Sequence, residues 1–257
     1  MGYRLSGTQF LQKGGGSVFT TTPYSVLVWV YISSLSIGAA ARLVMISNSP
    51  VGSEFHGLYA WGESTTIGWT IQHANSGGNR TAAISKPRAS SVGHWVPVIG
   101  IFTSDSSRTI YVYDGGSATN TESSGALDVD YLSYGAFWQN SAIQLLNGAV
   151  SMGGIWDVAL TVAEVSVLLR GYHPVFVRPQ SLVGCYPMIG GELIDIIGGN
   201  DLTTVNAPAK SENDPPYIYP SYPQVGLTIS AAVAGAIMPQ FQYANLGASL
   251  YNGTLIG

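Results

Sequence analysis

An apolar run at residues 24–32, interrupted only by Ser25, predicts a strand at the centre of a β-sheet. Successive side chains of a strand point to opposite faces, and an antiparallel strand with one face in water alternates apolar and polar residues. Both faces are apolar here, since one carries Val26, Val28, Val30 and Ile32 and the other carries Leu27, Trp29 and Tyr31. We therefore expect both faces of this strand to be covered.

Shorter apolar segments bounded by Gly, Asn, Ser or Pro predict further strands as far as Trp156. They lie at 42–46, 57–61, 66–72, 94–102, 109–115, 132–137, 143–146 and 149–156, with a polar turn at 103–108. Pro97 lacks the N–H that a strand ladder uses, so we expect a bulge or a sheet edge there. A count of about ten or eleven strands suits a two-sheet jelly roll.

One short helix is predicted at 161–170. Thr161 stands three residues before Glu164, the spacing of a capping box, and Gly171 is a typical residue just beyond a helix end. A helix this short is not stable alone in water, so its apolar side chains need a larger body to dock on. Gly153 and Gly154 interrupt the preceding strand, which predicts a bend or a close approach of another backbone.

The segment from Gly154 to Gly171 resembles the closing strand and helix of laminin-G-like, concanavalin A-like jelly-roll domains. A hairpin of the same family is similar to 94–115, and a further family element is similar to 182–203. The resemblance covers 3–206 and implies an all-β fold, a two-sheet concanavalin A-like jelly roll with one short helix near 161–170. We assign 1–210 to this domain, with the closing strand and helix at 149–171 and a wrapping segment at 172–210.

The remaining residues, 211–257, are predicted to form an uncharged C-terminal arm rich in Pro, Gly and Ala. No charged side chain occurs after Asp214, and the apolar run at 229–238 is too short for the ~20 residues of a membrane span. A disordered tail normally carries charge, so we expect an arm that packs on another subunit of a homo-oligomer. Its predicted contact residues are Ile229, Val233, Ile237, Met238, Phe241 and Tyr243.

The amino-acid composition argues against several classes of function. Charged residues make up 9% of the chain, against about 25% in an ordinary soluble domain. The net charge is −4 and no basic run occurs, which argues against nucleic-acid binding. Cys185 is the only cysteine, so neither an intrachain disulfide nor a cysteine metal cluster can form, and we expect it to be a small buried apolar residue.

No pattern of catalytic residues stands out, so we expect a protein that is not an enzyme. Retaining glycoside hydrolysis needs two carboxylates about 5–5.5 Å apart. Only Asp128 and Asp130 have the matching spacing along a strand, and they lie in a predicted loop. No cofactor is expected. Calcium is left open, with Asp105, Asp114, Asp128 and Asp130 as candidate ligands outside any recognisable calcium loop.

Aromatic side chains at strand ends and in loops are candidates for stacking on sugars. The predicted glycan platform consists of Tyr59, Trp61, Trp69 and Trp138. Trp29, Trp95 and Trp156 fall on core or family-motif positions, and we expect them to be structural.

We therefore predict a non-catalytic structural protein of a virus particle, in a capsid-decorating, head-fibre or tail-associated position, that contacts other virion proteins. The segment at 178–183 is similar to that of bacteriophage virion proteins with such domains. No apolar signal sequence is visible at the N-terminus, so assembly in the host cytoplasm is expected. The alternative is a lectin-like module that binds a host-surface glycan, and a glycoside hydrolase ranks third.

Overall fold

The computed structural model describes residues 2–13, 22–47, 54–75, 78–123, 131–138, 142–188, 192–211, 214–216 and 218. These residues form two antiparallel β-sheets packed face to face, with one α-helix, which confirms the predicted sandwich. The strands are β1 (Tyr3–Leu5), β2 (Phe10–Lys13), β3 (Tyr24–Ile32), β4 (Ala40–Ser47), β5 (Phe55–Gly62), β6 (Thr66–Asn75), β7 (Gly78–Pro87), β8 (Trp95–Ser104), β9 (Ser107–Val112), β10 (Gly116–Asn120), β11 (Tyr131–Tyr134), β12 (Phe137–Trp138), β13 (Ala142–Ile143), β14 (Gly148–Trp156), β15 (Leu182–Tyr186), β16 (Thr203–Val205) and β17 (Ala209–Lys210).

Sheet A has the strand order β10-β9-β8-β3-β14-β1-β17, and β15 pairs with β14 beside β1. Sheet B has the order β16-β2-β11-β4-β5-β6-β7, and β12 and β13 form a separate hairpin. The main hydrophobic core lies between the two sheets. Helix α1 (Val162–Leu169) covers the other face of sheet A, and among the described residues no α-helix lies on the outer face of sheet B.

The apolar strand β3 is covered on both faces, as predicted. Its Val26, Val28, Val30 and Ile32 belong to the core between the sheets. Its Leu27 and Trp29 belong to a second core under α1. The cover of the outer face therefore comes from this chain and not from a neighbouring subunit.

Helix α1 begins at the predicted capping box. The Glu164 N–H donates to the Thr161 hydroxyl at 3.4 Å, and the Thr161 N–H donates to the Glu164 carboxylate at 2.7 Å. Arg178 then pairs with the same carboxylate at 2.8 Å. Because Val165 and Leu168 are buried against sheet A, the helix is stabilised by docking as well as by its cap.

The paired glycines of β14 mark a β-bulge, which confirms the predicted bend. The register against β3 shifts between Ser151 and Gly154, and Met152 has a φ of +45°. A Cβ on Gly153 would lie 2.4 Å from the Tyr134 hydroxyl oxygen, so the close approach at Gly153 is made by a side chain and not by backbone.

The expectation of a bulge or an edge at Pro97 is wrong. Strand β8 is interior to sheet A, and its ladder with β3 is continuous through Pro97. The Pro97 carbonyl accepts from the Tyr113 N–H at 3.4 Å, where β9 ends. The Tyr113 carbonyl, which an N–H at position 97 would otherwise reach, accepts from the Lys86 ammonium group. A distant lysine thus compensates for the missing donor.

Several other boundaries differ from the predictions. The turn expected at 103–108 contracts to Asp105 and Ser106, because β8 and β9 both extend into it. The strand expected at 143–146 ends at Ile143, since Gln144 has a left-handed φ of +51°. Strands β7 and β10 had no apolar pattern to mark them, and both lie at sheet edges.

The wrapping segment returns to both sheets. Cys185 in β15 is fully buried as expected, and burial raises the pKa of its thiol. Strand β16 joins sheet B beside β2, and β17 joins sheet A beside β1. All six predicted contact residues of the C-terminal arm lie outside the described residues. In the described part of the chain, no helix is both long and apolar enough to cross a membrane.

Candidate functional site

Two of the predicted glycan-platform residues, Tyr59 and Trp61, lie on the outer face of sheet B. Tyr59 and Trp61 lie two residues apart on β5, so strand alternation places both on this face. The Trp61 side chain is 41% exposed, and Tyr59 is half-buried. Two of the predicted platform residues are thus brought together on one open surface.

Gly68 keeps the surface beside Trp61 shallow. It is the β6 partner of Trp61, and a Cβ there would lie 3.6 Å from the Trp61 Cβ and 3.4 Å from a Glu63 carboxylate oxygen. The other Glu63 oxygen accepts a hydrogen bond from Thr66. The base of the Trp61 side chain and a Glu63 carboxylate oxygen therefore both lie next to Gly68.

Arg42 lies behind Tyr59 on the neighbouring strand β4. Its guanidinium carbon is 4.5 Å from the Tyr59 ring centroid, 5.3 Å from that of Phe55 and 5.1 Å from that of Phe137. The Arg42 side chain donates to the side-chain oxygens of Gln72 at 2.8 Å and Gln144 at 2.5 Å. Burial lowers the pKa of Arg42 to about 10, so it stays charged at neutral pH.

The β12–β13 hairpin is fastened to this face through Arg42. The Gln144 carbonyl accepts from the Arg42 N–H at 2.8 Å, and the Phe137 ring packs on the Phe55 ring with centroids 4.6 Å apart. No pattern around Arg42, Gln72 or Gln144 had pointed to this cluster. The only signal was a cation within the apolar segment at 42–46.

Trp69 cannot belong to a glycan platform, and its assignment is corrected. The side chain is 0% exposed and packs in the core between the sheets. It stands opposite Ala60 on β5, so it faces inward while Trp61 faces outward. Trp138 is paired with Ala142 in the hairpin, and its side chain lies outside the described residues.

A buried polar chain crosses the core between the sheets. The Tyr24 hydroxyl of β3 is hydrogen-bonded to His56 Nδ1, and His56 Nε2 is 2.6 Å from His73 Nδ1. The Phe102 ring stacks on His56 at 4.2 Å. Burial lowers the pKa of His56 well below its usual value and that of His73 to about 4, so both rings are neutral in the folded protein.

Neutral buried histidines should make the fold sensitive to acid. Unfolding restores a histidine pKa of about 6.5, so protons bind the unfolded chain more tightly. We expect the free energy of unfolding to fall as pH decreases from about 6.5 to about 4, by about 1 kcal/mol or slightly more per pH unit for each histidine that is titrating. Urea unfolding between pH 4 and 7.5 measures this slope.

Two variants separate this effect from general acid sensitivity. His73→Gln should reduce the slope without abolishing it, because His56 and the buried His173, whose pKa burial lowers to about 4, still contribute. His94→Gln should leave the slope unchanged because His94 is exposed. Equal slopes in all three proteins would contradict the assignment to the buried pair.

Within the described residues, no group of three or more His, Cys, Asp or Glu side chains could hold a metal ion. The candidate calcium ligands Asp105 and Asp114 are therefore not part of such a group. Asp128 and Asp130, which were also the candidate catalytic pair, lie outside the described residues.

Comparison with known proteins supports the fold. The laminin-G model of the concanavalin A-like lectin/glucanases superfamily matches residues 5–166. A native heptameric SAP-like pentraxin from Limulus polyphemus is similar at 14% identity and a TM-score of 0.51, over 65% of this chain and 80% of that one.

Two further solved structures are more distant. Domains LG4-5 of the mouse laminin alpha1 chain are 21% identical over 60% of this chain and 40% of that one, with a TM-score of 0.43. Tailspike protein 2 of an Escherichia coli O157:H7 bacteriophage is 11% identical over 72% of this chain and 26% of that one, with a TM-score of 0.49. Comparison with curated proteins found no match.

Proposed function

The chain belongs to the concanavalin A-like lectin/glucanases superfamily, and from its outer sheet B surface we propose that it is a non-catalytic carbohydrate-binding protein. The observation that carries the proposal is the exposed Trp61 beside the Glu63 carboxylate. The apolar face of a sugar ring stacks on an aromatic ring, and a carboxylate accepts hydrogen bonds from sugar hydroxyls. Sugar-binding surfaces of this kind are shallow, and the surface at Gly68 is shallow because this residue has no side chain.

The positions of Asp and Glu residues along sheet B favour sugar binding over sugar hydrolysis as the function of this surface. Retaining hydrolysis needs two carboxyl groups about 5–5.5 Å apart, and inverting hydrolysis needs them about 6.5–9.5 Å apart. Strands β4 to β7 carry no Asp or Glu, and Glu63 lies in the turn between β5 and β6. This argues against a paired acid and nucleophile on the strands that form the face.

Trp61→Ala should weaken glycan binding at least about ten-fold, because a central aromatic contact contributes about 2 kcal/mol or more to binding and about 1.4 kcal/mol is a factor of ten. A glycan array identifies a ligand for the wild-type protein, and calorimetric titration then compares the variant. Tyr113→Ala is the matched control, since Tyr113 is an exposed aromatic residue at the end of β9 in sheet A. Failure of the wild type to bind any glycan, or unchanged affinity of Trp61→Ala, would refute the proposal.

We also propose, as a second function, that the protein is a structural component of a virus particle. The 9% charge content and the uncharged stretch from Pro215 to Gly257 favour extensive subunit contacts. The apolar outer face of β3 gives no support here, because α1 covers it. A glycan-binding face and an assembly arm are compatible within one virion protein.

Native mass measurement tests the assembly role. The full chain should form an oligomer, and a chain lacking residues 225–257 should be monomeric with an unchanged thermal transition of the sandwich. The transition serves as the control for folding. A truncated protein with the same oligomeric state as the full chain would exclude the arm as the assembly element.

A further inference from the structure

We infer that the preferred ligand of the sheet B surface is an acidic glycan, one that carries a carboxylate or sulfate, and that Arg42 supplies the preference. This inference rests on the proposed carbohydrate binding and specifies its ligand class. The observation behind it is the environment of Arg42, a buried cation next to the exposed aromatic residues.

The Arg42 charge has no anionic partner among the described residues. The residue is 6% exposed, and its side-chain hydrogen bonds go to the neutral amides of Gln72 and Gln144. No salt bridge between described residues includes it; Glu164 pairs with Arg178, and Glu122 pairs with Arg80. Buried charges in proteins are usually paired with an opposite charge, whereas this one is balanced only by amide oxygens and aromatic rings, so part of its positive field remains.

That field reaches the proposed sugar surface through protein and not through water. The guanidinium carbon lies 4.5 Å behind the Tyr59 ring, and Tyr59 is half-buried two residues from Trp61. A sugar stacked on the Tyr59 ring would place a substituent roughly 8 Å from the guanidinium carbon, which is the 4.5 Å to the ring centroid plus a van der Waals separation of about 3.5 Å. Charges at that separation in a low-dielectric region interact by more than thermal energy, and salt screens them only partly.

The two ends of the surface carry opposite charges, and this predicts how the ligand is oriented. Glu63 lies at the Trp61 end and repels anions, whereas Arg42 lies at the Tyr59 end and attracts them. Sugar hydroxyls should therefore face Glu63 while the acidic substituent lies toward Tyr59. A neutral glycan would use the Trp61 end and gain nothing from Arg42.

Arg42 also holds the β12–β13 hairpin through its hydrogen bonds to Gln144. An experiment must therefore distinguish this structural role of Arg42 from its proposed effect on ligand preference. Loss of the fastening would weaken binding of neutral and acidic glycans alike. Loss of the field would weaken binding of acidic glycans only. The ratio of the two affinities is therefore the informative quantity.

The test uses the full-length protein and an array of neutral oligosaccharides printed beside their uronic-acid and sulfated counterparts. We expect the acidic member of a bound pair to bind about five- to ten-fold more tightly at low salt, and this ratio to shrink at high salt. Equal binding, or preference for the neutral member, would overturn the acidic class while leaving the proposed function intact. No binding to any member would overturn the proposed function itself.

Variants assign the effect to Arg42. Arg42→Met should reduce the acidic-to-neutral ratio to about one, and Arg42→Lys should retain most of it because the charge remains. Glu63→Gln should raise the ratio by removing a repulsive charge, although the loss of a carboxylate acceptor weakens binding of both glycans. If Arg42→Met does not fold, the salt dependence of the wild-type ratio decides the outcome. A ratio that is independent of salt, or that persists in a folded Arg42→Met protein, would contradict the inference.

Discussion

Asp195→Ala is expected to lower the free energy of unfolding by about 4 kcal/mol, because one buried and two partly buried backbone donors would lose their acceptor at once. One Asp195 carboxylate oxygen accepts from the N–H groups of Cys185 at 2.8 Å and Ile197 at 3.1 Å. The other accepts from the Asn200 N–H at 3.2 Å. An unsatisfied buried donor costs about 1–3 kcal/mol, so the expected loss is large even after partial hydration.

The Asp195 carboxylate holds the turn at 195–201 against β15. Asp201 completes the turn by accepting from the Asp195 N–H at 2.9 Å. Loss of this anchor should loosen the wrapping segment where it covers sheet A. The residue is therefore structural, although its sequence environment had identified it only as part of a family motif.

Urea unfolding followed by tryptophan fluorescence measures the loss. Asp195→Asn keeps one oxygen acceptor and should cost about half as much. Asp157→Ala is the matched control, because Asp157 is exposed and its removal should change stability by less than about 0.5 kcal/mol. An Asp195→Ala protein within 1 kcal/mol of the wild type would show that the turn is not anchored in this way.

Trp156→Ala should destabilise the protein by about 3–5 kcal/mol, the range for removing a large aromatic residue from a core. The Trp156 side chain is fully buried in the second core, and its indole N–H donates to the Val177 carbonyl at 2.8 Å. Gly154 fits against the ring, since a Cβ there would lie 2.8 Å from the Trp156 Cη2 atom. Truncation would therefore leave both a cavity and an unsatisfied carbonyl.

A second substitution separates these two contributions. Trp156→Phe retains much of the ring volume and loses the hydrogen bond, so it should cost about 1–2 kcal/mol. Limited trypsin digestion at Arg170 should accelerate in Trp156→Ala, because the ring packs in the same core as Leu168 at the end of α1. A Trp156→Ala protein that is destabilised by less than Trp156→Phe would contradict the cavity argument.

The candidate site was only partly predictable from the sequence. Tyr59 and Trp61 were identified as aromatic residues near a strand end, and the structure places them on one outer face. Trp69 was assigned to the same surface because the direction of a strand face cannot be read from an isolated tryptophan. Its register opposite Ala60 turns it inward. Arg42 was missed because its hydrogen-bond partner Gln144 is 102 residues away in sequence.

The sequence by itself determined the features whose partners lie within a few residues. The Thr161–Glu164 capping box, the bend at Gly153 and the two apolar faces of β3 depend on local spacing and alternation, which the chain carries directly. Only the tertiary structure decided what covers β3, how Lys86 compensates for Pro97, and which side chains gather around Arg42. Those outcomes depend on sheet register and on contacts between distant strands, where a shift of one residue exchanges the inner and outer faces.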